Sequence, residues 1–354
     1  MPAGVTGYAA INARVRVMYS TLLSPQALNE LCEVADWDSL VSALKATDYG
    51  PYLERIKDRS VNPRRVVFQL KMRLAEAYGS VIRSSPDHAR PVLSTLFDHF
   101  EVDNLKAVLR GIVAGADWDR IRFVLFPTGS SSGLPFQAMV ESGSVTAAVE
   151  MLRGSHYYET LSFAMKRYSL EQSLFPLEVA LDLSHWRKLW ASVNRLTGDD
   201  RTFAIRIIGS LVDMNNMMWA LRYRTFHHLS EEELINYTLS FGHRVRDEDI
   251  RLIAAGSDIA QVVSRIWPGI RDVAEILRDP RHGLSELELE FQRHLADECR
   301  AAFVGNPFQI GIPLGFLILM ELEIQDLTVL VEAKDNRTPL AEFKPYLVLS
   351  GEPV

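Results

Sequence analysis

Gly129-Ser130-Ser131-Ser132-Gly133 is the first arrangement in this chain with the means to do chemistry, because it fits the G-x-S-x-G pattern of a nucleophile elbow. In an elbow the serine rides a sharp strand-to-helix turn, and its hydroxyl attacks an ester or amide carbonyl. Ile121 to Phe126 reads as a strand before it, and Phe136 to Val140 reads as a helix after it. The details oppose catalysis: Pro127 and Thr128 intervene, and Leu134-Pro135 delays the helix. An elbow also needs several parallel strands beneath it, and the sequence offers one. A Gly/Ser loop is therefore expected, with hydrolysis at Ser131 as an alternative. The same glycines lack the Lys-Ser/Thr of a phosphate-cradling loop, so no nucleotide or other cofactor is expected there.

His227, His228 and His243 raise the question of a metal, but no His-Glu-x-x-His pattern exists, and neighbours on a helix point apart. They are expected to sit exposed at helix ends, with no metal bound. Glu231, Glu232 and Glu233, like Glu286, Glu288 and Glu290, read as solvated helix faces and first-turn acids. No catalytic constellation is expected. The basic residues Arg110, Arg222, Arg224 and Lys334, together with Arg14 and Arg16, are the candidates for gripping acidic side chains of a partner. The competing expectation for Arg110 and Arg222 is local: they neutralise helix C-terminal carbonyls, or the nearby Glu101 and Asp213.

The elements that carry these residues are helical. Apolar residues recur three and four apart through Val66, Leu70, Leu74, Ala77 and Val81, and through Leu93, Leu96, Phe97, Phe100, Leu105, Val108, Leu109 and Ile112. Similar stripes run from Leu183 to Val193, from Phe203 to Leu221, and through Leu287, Phe291, Leu295 and Phe303. Ser230 with Glu233 has capping-box spacing, and Asp36, Ser144 and Asp258 can close other helix starts. The expected fold is all-α, in a chain of 354 residues with 47% hydrophobic and 23% charged residues. That balance excludes disordered and fibrous classes. With 38 Lys+Arg against 45 Asp+Glu, no general field draws in nucleic acid. Cys32 and Cys299 match no metal or redox spacing and read as reduced thiols of a cytosolic protein. The N-terminus, with Arg14 and Arg16, does not read as a secretory signal. The apolar run Pro307 to Met320, interrupted by Pro313, is too short for a membrane span.

Two separate patterns repeat. EVDNLKAVLR from Glu101 aligns without gaps to DMNNMMWALR from Asp213 and more loosely to EIQDLTVLVE from Glu323, at spacings of 112 and 110 residues. A short capped helix recurs from Asp36, Ser144 and Asp258, at spacings of 108 and 114. The cap precedes the aligned Asn104, Asn216 or Asp326 by 68, 72 and 68 residues, so order is kept as well as period. Asn104, Asn216 and Asp326 lie in apolar surroundings and must find hydrogen bonds, which assigns them a structural role. Three units follow, expected at residues 1–115, 116–227 and 228–354, arranged about an approximate threefold axis or stacked as a short solenoid.

At these residues the chain resembles a known family: the C subunits of archaeal and bacterial V-type (A-type) rotary ATPases, counterparts of the d subunit of the eukaryotic V-ATPase. YAAINARVRVMYSTLL at Tyr8 to Leu23 is similar to the family's N-terminal helix, and LVSALKATDYGPYL at Leu40 to Leu53 to its Thr-Asp-Tyr-Gly segment. NPFQIGIPLGFLILMELEIQDLTVLVEAK, followed by Phe-Lys-Pro-Tyr, matches in kind and position. The resemblance implies a helical funnel of three related units forming one body. It would be peripherally attached at the cytoplasmic face of the proton- or sodium-carrying proteolipid rotor ring, receiving the foot of the central stalk. Such a protein has no catalytic residue, metal or cofactor; it transmits torque during ATP synthesis or hydrolysis and ion transport. Glu332 stands where the other copies have Arg110 and Arg222, and the Gly129 to Gly133 loop is an individual feature. The alternative class is a helical-repeat scaffold with unrelated protein partners.

Overall fold

Short polar side chains open the helices where apolar stripes begin. Ser24 accepts a bond from the Ala27 amide, Asp36 from Ser39, Asn62 from Arg65, Ser144 from Ala147 and Asp258 from Ala260. Ser230 and Glu233 form the full reciprocal capping box. In the computed structural model, which describes residues 3–57, 61–129, 133–227, 229–270, 272–279 and 282–351, all regular structure is helical.

The first third of the chain comprises α1 (Ala3–Tyr19), α2 (Pro25–Glu33), α3 (Trp37–Lys45), α4 (Gly50–Leu53), α5 (Pro63–Ser84), α6 (Arg90–Phe97), α7 (His99–Val113) and α8 (Trp118–Ile121). Next come α9 (Phe136–Glu141), α10 (Val145–Glu150), α11 (His156–Glu171), α12 (Phe175–Val193), α13 (Gly198–Arg222) with a π-helical turn at Tyr223–His227, and α14 (Glu231–Asn236). The last set is α15 (Asp247–Ala254), α16 (Ile259–Ile266), α17 (Val273–Ile276), α18 (Gly283–Ala301), α19 (Gly311–Asp335) and α20 (Leu340–Phe343). Two short helices, a variable third, two long helices and a final short one follow in this order in the second and third sets; the first set has α1 ahead of them, and α6 with α7 in place of the second long helix. Within that order α11 has 16 residues where α4 and α17 have 4 each.

The apolar run near the C-terminus becomes the buried pillar of the body. Gly311 to Met320 is buried on every side of α19, which packs against α1, α3, α5, α13, α18 and α20. A helix apolar all round belongs in a core. A Cβ added at Gly315 would lie 2.7 Å from the Cys299 carbonyl oxygen, so glycine sets the close approach of α18 to α19. Among the described residues no helix is long and apolar enough to cross a membrane.

Two hydrophobic clusters share α12. Leu177 and Leu181 join a cluster with α7, α9, α10 and α11, while Val179, Leu183, Trp186, Leu189 and Val193 face the larger core of the other helices. Cys32 and Cys299 are buried free thiols.

Two sequence expectations change here. The Leu93 to Ile112 stripe is split at Asp98 into α6 and α7. The Ile121 to Phe126 segment is not a strand: Ile121 ends α8 and a turn follows. Its apolar character has another cause. Leu125 and Phe126 are buried, and the Phe126 ring stacks on Phe100 at a centroid distance of 3.6 Å, so the segment plugs a core and, among the described residues, pairs with no strand.

Candidate functional site

The aligned positions of the repeated ten-residue pattern perform one task in two chemical versions. Asn104 donates its side-chain amide to the Phe126 carbonyl at 2.9 Å and accepts the Phe126 N–H at 2.7 Å. Asn216 does the same to Leu239, at 2.9 and 2.8 Å. Asp326 has no donor, and it accepts instead from two successive amides, Val348 at 2.8 Å and Leu349 at 2.7 Å. In each case a buried side chain on a long helix ties down the loop that returns 22 or 23 residues later. The acid that begins each pattern is also engaged. Glu101 accepts from the Tyr157 hydroxyl at 2.6 Å, Asp213 from the His243 and Arg244 amides, and Glu323 from the Tyr49 hydroxyl and the Leu23 amide. Burial pushes Asp213 and Asp326 up to about 6 against the pull of their amide donors.

Glu323 centres a buried polar group that joins the chain's two ends. Arg73 on α5 lies 3.8 Å from its carboxylate, covers the Tyr49 ring at 4.3 Å and donates to Thr21 just beyond α1. Burial raises the Glu323 pKa to about 7, from an ordinary 4.5. The folded state therefore binds this proton more tightly than the unfolded chain. Its contribution to stability is complete below about pH 4.5 and is lost as pH rises through 7. Glu323→Gln removes the titration, so relative to the parent chain it should be more stable at pH 8 than at pH 5, by roughly 2–3 kcal/mol. Urea unfolding at the two pH values reads the difference; an equal offset at both would refute the protonated carboxyl.

Each basic candidate has a partner inside the chain. Arg110 on α7 makes a bidentate pair with Glu178 on α12 at 2.6 and 2.8 Å, and Arg222 on α13 pairs with Glu288 on α18 at 2.6 Å. These are neither the carbonyls nor the Glu101 and Asp213 contacts that the local expectation named. Both pairs keep solvent contact, with 63% of the Arg110 side chain exposed. At the third aligned position, Glu332 pulls upward on the Lys71 pKa, which burial lowers overall. Arg224 and Lys334, each two residues further on, close the ends of other helices: Arg224 donates to the Ile253 carbonyl of α15, and Lys334 to the Cys32 and Val34 carbonyls at the end of α2. Arg14 reaches Ser84 at 3.4 Å, and Arg16 reaches the Phe303 carbonyl at 2.9 Å.

Ser131 and His228 lie outside the described residues. His243 is half-buried in the loop after α14 rather than exposed at a helix end, and burial lowers its pKa. Among the described residues no group of His, Cys, Asp or Glu could hold a metal ion. Spacing and composition did not single out Arg73 or the tyrosine bonds. A signal was present for the latter: Tyr49 and Tyr157 each fall 13 residues after a repeated cap, Asp36 or Ser144.

The molecule's candidate functional feature is thus a set of helices, α7, α13 and α19, each with an aligned, bonded acid, buried at Asp213 and Glu323 and half-buried at Glu101, and an aligned buried loop anchor. A model of the ATP synthase (C/AC39) subunit family matches residues 11–345, which includes all three. The chain belongs to the ATP synthase (C/AC39) subunit family. Its similarity to the A-type ATP synthase C subunit of Methanocaldococcus jannaschii is 25% identity over 347 residues, covering 96% of this chain and 86% of the relative. The corresponding protein of Methanothermobacter thermautotrophicus is 25% identical over 337 residues, covering 92% and 84%. That of Thermococcus onnurineus is 24% identical over 333 residues, covering 94% and 87%. The C/AC39 family is the one to which the N-terminal, Thr-Asp-Tyr-Gly and C-terminal segments pointed.

Proposed function

We propose that this C/AC39 protein is the non-catalytic adapter of a V/A-type rotary ATPase, seated on the membrane rotor ring at its cytoplasmic face and holding the central stalk. The family match across residues 11–345 carries this reading. An adapter that transmits torque must resist twisting, and close-packed helices tied by buried hydrogen bonds do so. The repeated anchors at Asn104, Asn216 and Asp326 favour three related units about an approximate threefold axis. Because Phe126 and Leu239 are bonded back to Asn104 and Asn216, α8 and α14 go with the units that precede them. On this reading the unit breaks would fall nearer residues 130 and 245 than 115 and 227. The exposed Arg14 and Arg16, and the solvent-facing pairs of Arg110 and Arg222, are the basic groups positioned to exchange intramolecular for intermolecular partners.

Reconstitution tests the reading. The purified chain is expected to co-elute with rotor-ring and central-stalk proteins, to restore coupling between them, and to hydrolyse no ATP by itself. Binding to neither of them, or ATP turnover by the isolated chain, would overturn it.

A further inference from the structure

The central cleft between α6, α7, α12, α13 and α19 holds polar groups that the fold leaves incompletely used. Its volume is about 240 Å³, below the roughly 300–1,000 Å³ of sites that enclose small molecules. Asp103, Asp182 and Glu321 line it against a single ammonium, that of Lys106. Lys106 stands 2.8 Å from one oxygen of Asp103 and 2.8 Å from one oxygen of Asp182. Glu321 accepts from the Tyr78 hydroxyl, with His99 3.7 Å away. The local balance is therefore acidic, and it repels anions.

The second observation is independent of the acids. His185 also lines the cleft, is only 5% exposed, and its Nε2 has no hydrogen-bond partner among the described residues. A buried polar atom left without a partner asks for one. Burial holds the His185 pKa down at about 3, so the ring is neutral and Nε2 is a lone-pair acceptor when Nδ1 carries the proton. Trp186 and Trp219 are also in the lining, and an indole ring attracts a cation. A metal ion does not fit, since no metal-holding group exists among the described residues.

We propose that this cleft receives one guanidinium or ammonium group, carried on a side chain of the protein docked against α7, α13 and α19. Asp103 and Glu321 supply its charge partners, His185 accepts one of its N–H bonds, and the two indoles cover it. The cleft's size admits one long side chain and not a helix. This inference rests on the adapter reading for the identity of the docked protein, though not for the chemistry of the cleft.

Ethylguanidinium is the probe, with neutral ethylurea of the same shape as control. Titrated into the full chain, ethylguanidinium should shift the Trp186 and Trp219 indole N–H resonances saturably, while ethylurea leaves them in place. Asp103→Asn, a side chain 58% exposed and so tolerant of change, should weaken the response about tenfold or more, as should Glu321→Gln. Absence of a saturable shift, or an equal response to ethylurea or in both variants, overturns the cationic pocket. The source is then read from the stalk proteins: at least tenfold weaker binding by the Asp103→Asn/Glu321→Gln double variant supports a docked side chain, and unchanged binding overturns it. If the parent chain binds no stalk protein while ethylguanidinium still shifts the indoles, the adapter reading fails and the cleft's cation chemistry stands.

Discussion

Asp326→Leu should lower the stability of the chain by roughly 3–5 kcal/mol and free its C-terminal segment. The carboxylate is fully buried and accepts the Val348 and Leu349 amides, and a leucine accepts neither. Each buried N–H left without a partner costs about 1–3 kcal/mol, and the added apolar contact offsets part of that. The segment is also held by Arg293, which donates to the Pro345 and Leu347 carbonyls, and by Asn29, which donates to Ser350. It should therefore loosen before the body unfolds. Amide hydrogen exchange at Val348 and Leu349 should rise far more than exchange in α5. Asp326→Asn makes a sharper test of the chemistry. Asparagine fits opposite one residue's N–H and C=O, as at Asn104 and Asn216, but here it turns an amide donor toward an amide donor. A loss of about 1–2 kcal/mol is expected. Unfolding of Asp326→Leu within about 1 kcal/mol of the parent would mean that the anchor does little.

Arg73→Met should cost roughly 2–4 kcal/mol at pH 8 and clearly less at pH 5.5. At the higher pH Glu323 is ionised in the folded chain, and removing the guanidinium leaves a carboxylate that is 1% exposed without its counter-charge. At the lower pH the carboxyl is protonated and needs Arg73 less. What remains is the loss of the Thr21 bonds and of the cation over the Tyr49 ring. The double variant Arg73→Met/Glu323→Gln should recover most of the stability at pH 8, because no charge is then stranded. Urea unfolding of the four chains at both pH values gives the cycle. A pH-independent cost, or no rescue, would mean that Arg73 acts through packing alone. Since this group ties the end of α1 to α5 and α19, the same variants should weaken torque transmission in a reconstituted motor before they unfold the chain.

The all-α class, the long helices and the caps were legible because helix periodicity and capping are local. Three or four residues of spacing place an apolar stripe, and one polar side chain before it closes the start, whatever lies elsewhere in the chain. The same locality explains the one misassigned element. Ile121 to Phe126 has strand composition, and nothing within it reveals that Phe126 is buried as a plug, bonded through its backbone to Asn104. That bond spans 22 residues and crosses from a loop to a helix.

Residue types and their spacing were enough to establish that this chain is helical, that Asn104, Asn216 and Asp326 must find bonds, and which family it resembles. Packing alone settled the partners: Glu178 and Glu288 for the two arginines, the ends of α2 and α15 for Lys334 and Arg224, and the convergence of Asp103, His185 and Glu321 on one cleft. Those groups lie tens to hundreds of residues apart in the chain, and a side chain's charge states what kind of partner it needs without stating where the fold will bring one.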